Sequence, residues 1–433
     1  MDTGTSSNIF STAALSTEET QLRPRGKLKV LFVDDDASVL QGLRRMLRTR
    51  RKSWDMRFAG GGREALETLS EMPADVVVSD LRMPEINGAD LLTEIKERWP
   101  EAVRIILSGD TDKAAIFRTI GPAHQFLTKP CSAEQLCSAI TRAGAMRRVL
   151  TNERISSLVA GQDALPTLPA LYNELKTLLQ ADDVPIARIG QVIGRDMGMT
   201  AKVLKLVNSA FFGLRRRITN PADAVNILGL ETIHGMVLST QAFEVMATED
   251  MHGVDLEQLN AHVLRVAIMA KEVVTAMELG KEAADGAFVA GMMHDLGRII
   301  LAARMPEQYG WTVDAAGRRG VPLNQAERKV FRATHGEVGA YLLGLWGVAD
   351  PVIEAVAWHH DPGHAASGVS PLLIALHLAN AVDEISHPER TPPCGIDDAV
   401  TDALGGPERV ARLTRRCTAV LERGGPTGDA QEE

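Results

Sequence analysis

Aromatic residues are scarce in this chain. Tryptophan, tyrosine and phenylalanine make up 4% of 433 residues, so the cores must be filled by Leu, Val, Ile, Ala and Met rather than by large rings. Cysteine is rarer still. Cys131, Cys137, Cys394 and Cys417 are the four in the sequence, and none forms a CxxC pair or a zinc spacing, which argues against a disulfide scaffold and fits a reducing compartment. There is no basic excess either. A net charge of −9 disfavours a general nucleic-acid-binding surface, which needs cations to neutralise phosphates. The run Arg215-Arg216-Arg217 is a local exception and reads as a solvated loop. No stretch reads as long and apolar enough to span a bilayer, and residues 1–26 are rich in Ser and Thr, without an apolar core for export. These absences predict a soluble cytoplasmic protein with a disordered N-terminal segment, and the length suggests two or three domains.

What is present falls into two textures. From Lys27 onward, short apolar runs alternate with helical spacing. Lys29-Val-Leu-Phe-Val33 and Asp75-Val-Val-Val-Ser79 read as buried parallel strands, with weaker strands over 56–59, 103–107 and 125–127. Helices are predicted over 38–50, 63–69, 91–98, 113–119 and from Ser132, whose spacing to Gln135 is that of a capping box. Five βα units in about 120 residues predict a doubly wound parallel sheet, with its site at the carboxyl ends of the strands. The last helix is expected to run unbroken towards Arg154. Beyond Leu150 the strand signals stop, and the rest reads as all-α up to about residue 385, with a further helix over 408–422. The expected boundaries are 1–26 disordered, 27–145 α/β domain, 146–160 helical linker, 161–386 helical domain and 387–433 C-terminal helix and tail.

Three carboxylates fall at strand ends: Asp34 and Asp35 after the first, Asp80 after the third. Like charges in one pocket need a cation, and oxygen ligands suit Mg²⁺. Ser108 follows the fourth strand and Lys129 the fifth, so the pocket holds a carboxylate nucleophile, a metal, a hydroxyl and an ammonium. That set suits phosphoryl transfer to Asp80. Asp36, next in line, reads as a helix N-cap. Val33-Asp-Asp, Asp80-Leu-Arg-Met-Pro84, Ser108-Gly and Lys129-Pro130 resemble the receiver domain of two-component response regulators, of flavodoxin-like fold. The resemblance implies Asp80 as phosphoacceptor and a Mg²⁺ site of Asp34, Asp35, Asp80 and the Arg82 main-chain carbonyl. It also implies Ser108 and Phe126 as a switch pair, Lys129 as phosphate partner, and a sensor histidine kinase as donor.

The helical region holds most of the eleven histidines. His294-Asp295 sits in the apolar run 287–301, which reads as one buried helix. Polar neighbours there need partners, since an unpaired buried group costs ~1–3 kcal/mol. His335 opens a helix through the capping-box sequence Thr334-His-Gly-Glu337, and His359-His360 close one that begins after Pro351. His262, His294 and Asp295 resemble the first ligands of HD-superfamily metal-dependent phosphohydrolases. The last ligand, an aspartate there, falls at Asn380 here, with Asp383 one turn on as a substitute. The closer resemblance is to the HDOD subfamily. It is carried by Leu165-Pro-Thr-Leu-Pro169, residues 196–204, 207–213 and 224–229, His335-Gly-Glu-Val-Gly-Ala340 and Trp358-His-His360; a Gly-Tyr-Pro motif after the double histidine is absent. It implies a signalling module. The expected function is a response regulator with a non-catalytic output domain that meets a downstream protein or small molecule. The other reading is a phosphorylation-gated phosphohydrolase holding a divalent transition metal among His262, His294, Asp295, His335, His359, His360 and Asn380. No direct nucleic-acid or membrane partner is expected, and a homodimer is allowed for.

Overall fold

The structure, a computed structural model, describes residues 27–109, 122–146, 153–160, 165–180, 185–208, 217–238, 244–245, 253–365, 368–387 and 392–424. The N-terminal segment, the helix expected over 113–119, the C-terminal tail and the stretch 147–152, on which the expected helix continuity rests, lie outside the described residues.

Apolar runs that would be insoluble alone are stacked side by side in the first domain. Strands β1 (Leu28–Val33), β2 (Trp54–Ala59), β3 (Val76–Ser79), β4 (Val103–Ser108) and β5 (Gln125–Thr128) form one parallel sheet in the order β2-β1-β3-β4-β5. Helices α1 (Ala37–Met46), α2 (Gly62–Glu71), α3 (Gly88–Arg98) and α4 (Ala133–Met146) follow β1, β2, β3 and β5. Two start signals act as expected. Asp36 accepts from Ser38 N at 2.8 Å, and Ser132 and Gln135 cap each other at 3.1 and 3.2 Å. The helix expected over 38–50 stops at Met46, because Arg48–Lys52 offers no apolar residue to bury and forms a 3₁₀ turn.

Among the described residues, the second domain is helical apart from turns and a two-residue parallel pair, Pro166–Thr167 with Glu244–Val245, which the strand-free expectation missed. Its helices are α5 (Glu153–Ala160), α6 (Pro169–Leu179), α7 (Ile186–Ile193), α8 (Met197–Val207), α9 (Pro221–Leu228), α10 (Leu230–Leu238), α11 (Leu256–Ala276), α12 (Lys281–Met293), α13 (Leu296–Arg304), α14 (Pro306–Arg319), α15 (Leu323–Phe331), α16 (His335–Leu345), α17 (Asp350–Trp358), α18 (Pro371–Ser386), α19 (Asp398–Ala403) and α20 (Pro407–Gly424). The single helix expected over 287–301 is broken: α12 ends at Met293, α13 begins at Leu296, and His294-Asp295 occupy the corner. The stretch Lys281–Arg304 does meet a membrane-span criterion by length and mean hydropathy, contrary to expectation, but 89% of its 18-residue apolar window is buried inside the domain. The α16 capping box is complete, Thr334 and Glu337 each satisfying the other's backbone N–H.

The two domains touch through the strand ends opposite the aspartates. The Arg104 side chain, fully buried, donates to Pro122 O at 2.6 Å and to Ala160 O, the last residue of α5, at 2.8 Å. His124 Nδ1 accepts from Arg104 N at 3.0 Å, so its Nε2–H points to Ala160 O at 2.9 Å. Gln125 Nε2 donates to Leu345 O, at the end of α16, at 2.9 Å. Arg217 is part of this seam rather than a solvated loop: it is half-buried, donates to Asn208 O at 3.1 Å, and burial followed by nearby Arg142 brings its pKa down to about 10. Arg215 and Arg216 lie outside the described residues.

Close packing around α16 depends on glycine. A Cβ on Gly297 would lie 2.0 Å from His335 O, so α13 and α16 meet only because that atom is missing. Gly297→Ala is expected to destabilise the helical domain by ~1–3 kcal/mol in urea unfolding. A loss under ~0.5 kcal/mol would show that the two helices separate freely.

Candidate functional site

Strand register assembles the aspartate pocket. Val33 pairs with Ser79, so Asp34 and Asp80 leave neighbouring strand ends side by side, and Asp80 N donates to Val33 O at 2.8 Å. Both carboxylates are buried, while Asp35 and Arg82 are exposed at the rim. Lys129 Nζ bridges the pair, 2.6 Å from Asp34 Oδ2 and 2.5 Å from Asp80 Oδ1. Asp80 Oδ2 accepts from Arg82 N at 2.7 Å. Burial raises the Asp80 pKa, against the pull of Lys129. Burial works to lower that of Lys129, but its hydrogen bonds to Asp34 and Asp80 outweigh it and the ammonium is favoured. Ser108 closes β4 opposite Thr128, and Phe126 is buried opposite Ile106. A Cβ on Gly88 would meet Asp80 O at 2.1 Å, so α3 also needs a glycine to pass the site. The donors are hard oxygens, as Mg²⁺ requires, and the carboxylate pair already draws a cation to itself.

The histidines build a second and stranger centre. His262 comes from α11, His294 and Asp295 from the α12–α13 corner, His335 from the start of α16, and His359 and His360 from the end of α17. His262 Nε2 lies 3.1 Å from His294 Nε2, and His335 Nε2 lies 3.3 Å from His359 Nε2 and 3.0 Å from His360 Nε2. Asp295 sits between the groups. Its Oδ2 is 3.7 Å from His262 Nε2; its Oδ1 is 3.7 Å from His294, 3.2 Å from His335 and 4.0 Å from His359.

The opposite ring nitrogens explain why this arrangement asks for a metal. His262 Nδ1 is held by Asp383 Oδ2 at 2.7 Å, His294 Nδ1 by Gly291 O at 2.7 Å, His335 Nδ1 by Glu327 Oε2 at 2.7 Å and His359 Nδ1 by Val356 O at 2.7 Å. Acceptors at Nδ1 keep the proton there and leave Nε2 lone pairs pointing inward, which is how ligating histidines are oriented. Burial pulls His294 down to about 4 despite Asp295. Burial also opposes protonation of His335, yet Glu327 and Asp295 hold its pKa up at about 10, so this ring is the exception in which a proton on Nε2 is favoured as well. Burial works against ionised Asp295 as well, but His294, Arg298 and His335 keep its pKa well below the carboxylate range. Two buried polar atoms here, His360 Nδ1 and Asn380 Oδ1, have no hydrogen-bond partner among the described residues. The donor set of imidazoles and one carboxylate fits Zn²⁺, Fe or Mn²⁺, either as one group of His262, His294 and Asp295 or a second of Asp295, His335, His359 and His360.

Six of the seven expected HD positions thus meet around Asp295. Asn380 is buried beside them and donates to Glu384 Oε1 at 2.9 Å. Asp383 does not replace it. That carboxylate faces His262 Nδ1 and is clamped by Arg265 at 2.6 and 2.8 Å. Glu327 was missed in the sequence, and Asp383 was expected as a ligand, whereas both act on the far side of the rings. Glu384, one turn from Asn380, and Cys394 line the adjoining cavity with Leu323 and His387. Cys394 carried no sequence signal at all.

Family models place the same two units on this chain. The response regulator receiver domain matches residues 30–141, and the HDOD domain matches residues 165–362. It is built as a two-component response regulator, a receiver domain followed by an HDOD domain. Among its relatives, an uncharacterized protein of Treponema pallidum is 27% identical over 53% of this chain and 44% of its own length. The hydrogenase transcriptional regulatory protein HoxA of Cupriavidus necator is 29% identical over 38% of this chain and 36% of its own. The receiver–HDOD chain therefore spans less than half the length of these curated relatives. Of solved structures, the MmoQ response regulator of Methylococcus capsulatus is 24% identical, with a TM-score of 0.47, over 58% of this chain and 98% of its own.

A metal that binds the folded cluster and not the unfolded chain must stabilise it, by ~2.7 kcal/mol at a hundredfold excess over Kd. Removing metal with 1,10-phenanthroline from protein prepared without chelator is expected to lower Tm by roughly 5 °C or more, and Asp295→Asn is expected to abolish the response. An unchanged Tm in the wild type would mean that the imidazoles hold only protons.

Proposed function

We propose that a sensor histidine kinase phosphorylates this chain on Asp80, and that the change is passed to a metal-loaded HDOD domain acting on a partner rather than by turnover. One contact carries this reading: Gln125, beside the switch residue Phe126, holds Leu345 O at one end of α16, and His335 of the cluster stands at the other. All eleven residues of α16 are buried, so it has little freedom to bend and moves as a unit about 15 Å long.

Bound Mg²⁺ would supply charge neutralisation for the phosphoryl oxygens in the receiver. The chain's own groups do the rest. The Asp80 carboxylate attacks phosphorus as the bond to the kinase histidine breaks, and an acyl phosphate forms. Lys129, which already spans Asp34 and Asp80, turns to the new oxygens. The phosphoryl group adds about −1.5 to −2 charges, and rearrangement of β4 and β5 follows through Ser108 and Phe126. The seam at Arg104, His124 and Gln125 lies on those same strands. Coupling of this kind is worth about 1–3 kcal/mol.

The converging ligands also favour a second reading, metal-dependent phosphoester hydrolysis. The cavity beside them holds about 30 Å³, room for a water or an ion, whereas ligand pockets begin at roughly 300 Å³. A cavity of this size supports partner binding over turnover.

Asp80→Asn is expected to abolish labelling by acetyl phosphate with Mg²⁺. Beryllofluoride is expected to change amide exchange in α16 of the wild type and not of that variant. Labelling that survives in Asp80→Asn, or exchange changes confined to the receiver, would contradict the proposal. Metal-dependent hydrolysis of a phosphodiester by the wild type would move it to the second reading.

A further inference from the structure

The cluster has an open side that its imidazoles leave unfilled. The small cavity there is lined by His262, His335 and His360 and, from outside, by Glu384 and Cys394. The Nδ1 of His360 is buried without a hydrogen-bond partner among the described residues and lies 3.9 Å from Glu384 Oε1, while its Nε2 faces His335. One donor atom each from His360, Glu384 and Cys394 lies within 4.8 Å of the other two. That spread closes onto a single ion with small side-chain shifts, since bonds of about 2.0 to 2.3 Å from nitrogen, oxygen and sulfur set donors roughly 3.5 Å apart. Glu384 is already aimed: Asn380 Nδ2 donates to its Oε1 at 2.9 Å and Cys394 N to its Oε2 at 3.1 Å. The Cys394 thiol rests against Asn324 Oδ1 at 3.5 Å, a weak contact that a metal can replace.

Charge points the same way. Asp295 is the one carboxylate that meets the Nε2 atoms of His262, His294, His335 and His359 among the described residues, and the neutral amide of Asn380 adds nothing. Divalent ions held by neutral imidazoles and one carboxylate leave a large positive excess in a buried place, which is costly unless anions stand close. Glu384 and a thiolate supply two.

We propose that His360, Glu384 and Cys394 form a further cation position on the open side of the cluster. It rests on the reading of the cluster as a metal centre and adds a soft ligand to it. On binding, the Cys394 S–H bond breaks, its proton goes to solvent and the thiolate sulfur bonds the metal. Sulfur ligation favours Zn²⁺ or another thiophilic ion over Mg²⁺ or Mn²⁺ at this position.

The test is cobalt titration of the full chain after removal of metal by dialysis against chelator. The later equivalents of Co²⁺ are expected to bring a sulfur-to-cobalt charge-transfer band in the near ultraviolet. Cys394→Ser is expected to lose that band and one equivalent of cobalt while keeping the visible absorption of the inner ions. Glu384→Gln is expected to weaken the last equivalent by about tenfold or more, as loss of a supporting ligand does. Cobalt bound by the wild type with no charge-transfer band, or a band that persists in Cys394→Ser, overturns this position and leaves the inner centre standing. No cobalt bound at all overturns both.

Discussion

Imidazoles whose Nε2 atoms converge in one buried space need a proton or a cation between them. Asp295 is the anion that balances that charge, and the surrounding helices are arranged around it. Asp383 and Glu327 take the outer nitrogens of His262 and His335, and Gly291 and Val356 carbonyls take those of His294 and His359. Each acceptor fixes a tautomer, and each tautomer turns a lone pair inward. The α12–α13 corner exists to put His294 and Asp295 at that point. Unpaired, such groups would destabilise the fold by several kcal/mol.

The cluster is joined to the receiver by packing rather than by chain connectivity alone. α16 is buried along its whole length, with His335 at its first turn and Leu345 under Gln125 at its last. Arg104 and His124 fix the neighbouring end of α5 through a single carbonyl, Ala160 O. A shift of β5 therefore meets a helix that cannot bend aside, because Gly297 lets α13 press directly on it. Small displacements in close-packed interiors are carried onward as rigid movement, which suits a switch with a distant reader.

The sequence revealed the receiver well. Short apolar runs ended in polar or charged residues in the right order, and register did the rest, since Val33 opposite Ser79 is enough to bring Asp34 beside Asp80. The histidines were legible as a set but not as a geometry. Residues 287–301 are apolar apart from His294, Asp295 and Arg298, so periodicity gave no hint of the corner at His294-Asp295. Asp383 looked like a stand-in for Asn380 because both lie on α18, but the two side chains diverge: Asp383 turns to Arg265 and His262 Nδ1. Glu384 and Cys394 could not have been found from spacing, because they line one cavity from parts of the chain that share no period. The domain seam was invisible for a similar reason: Arg104 reads as a strand charge that ought to be solvated, yet it is fully buried.

The account stands or falls on whether a cation occupies the space around Asp295. Anomalous scattering from crystals of protein never exposed to chelator, recorded across the iron and zinc absorption edges, addresses this directly. The account predicts anomalous density within bonding distance of Asp295 and of the Nε2 atoms of His262 and His294, or of His335, His359 and His360. Imidazoles still hydrogen-bonded to one another at 3.0–3.3 Å, with no anomalous density between them, would contradict it.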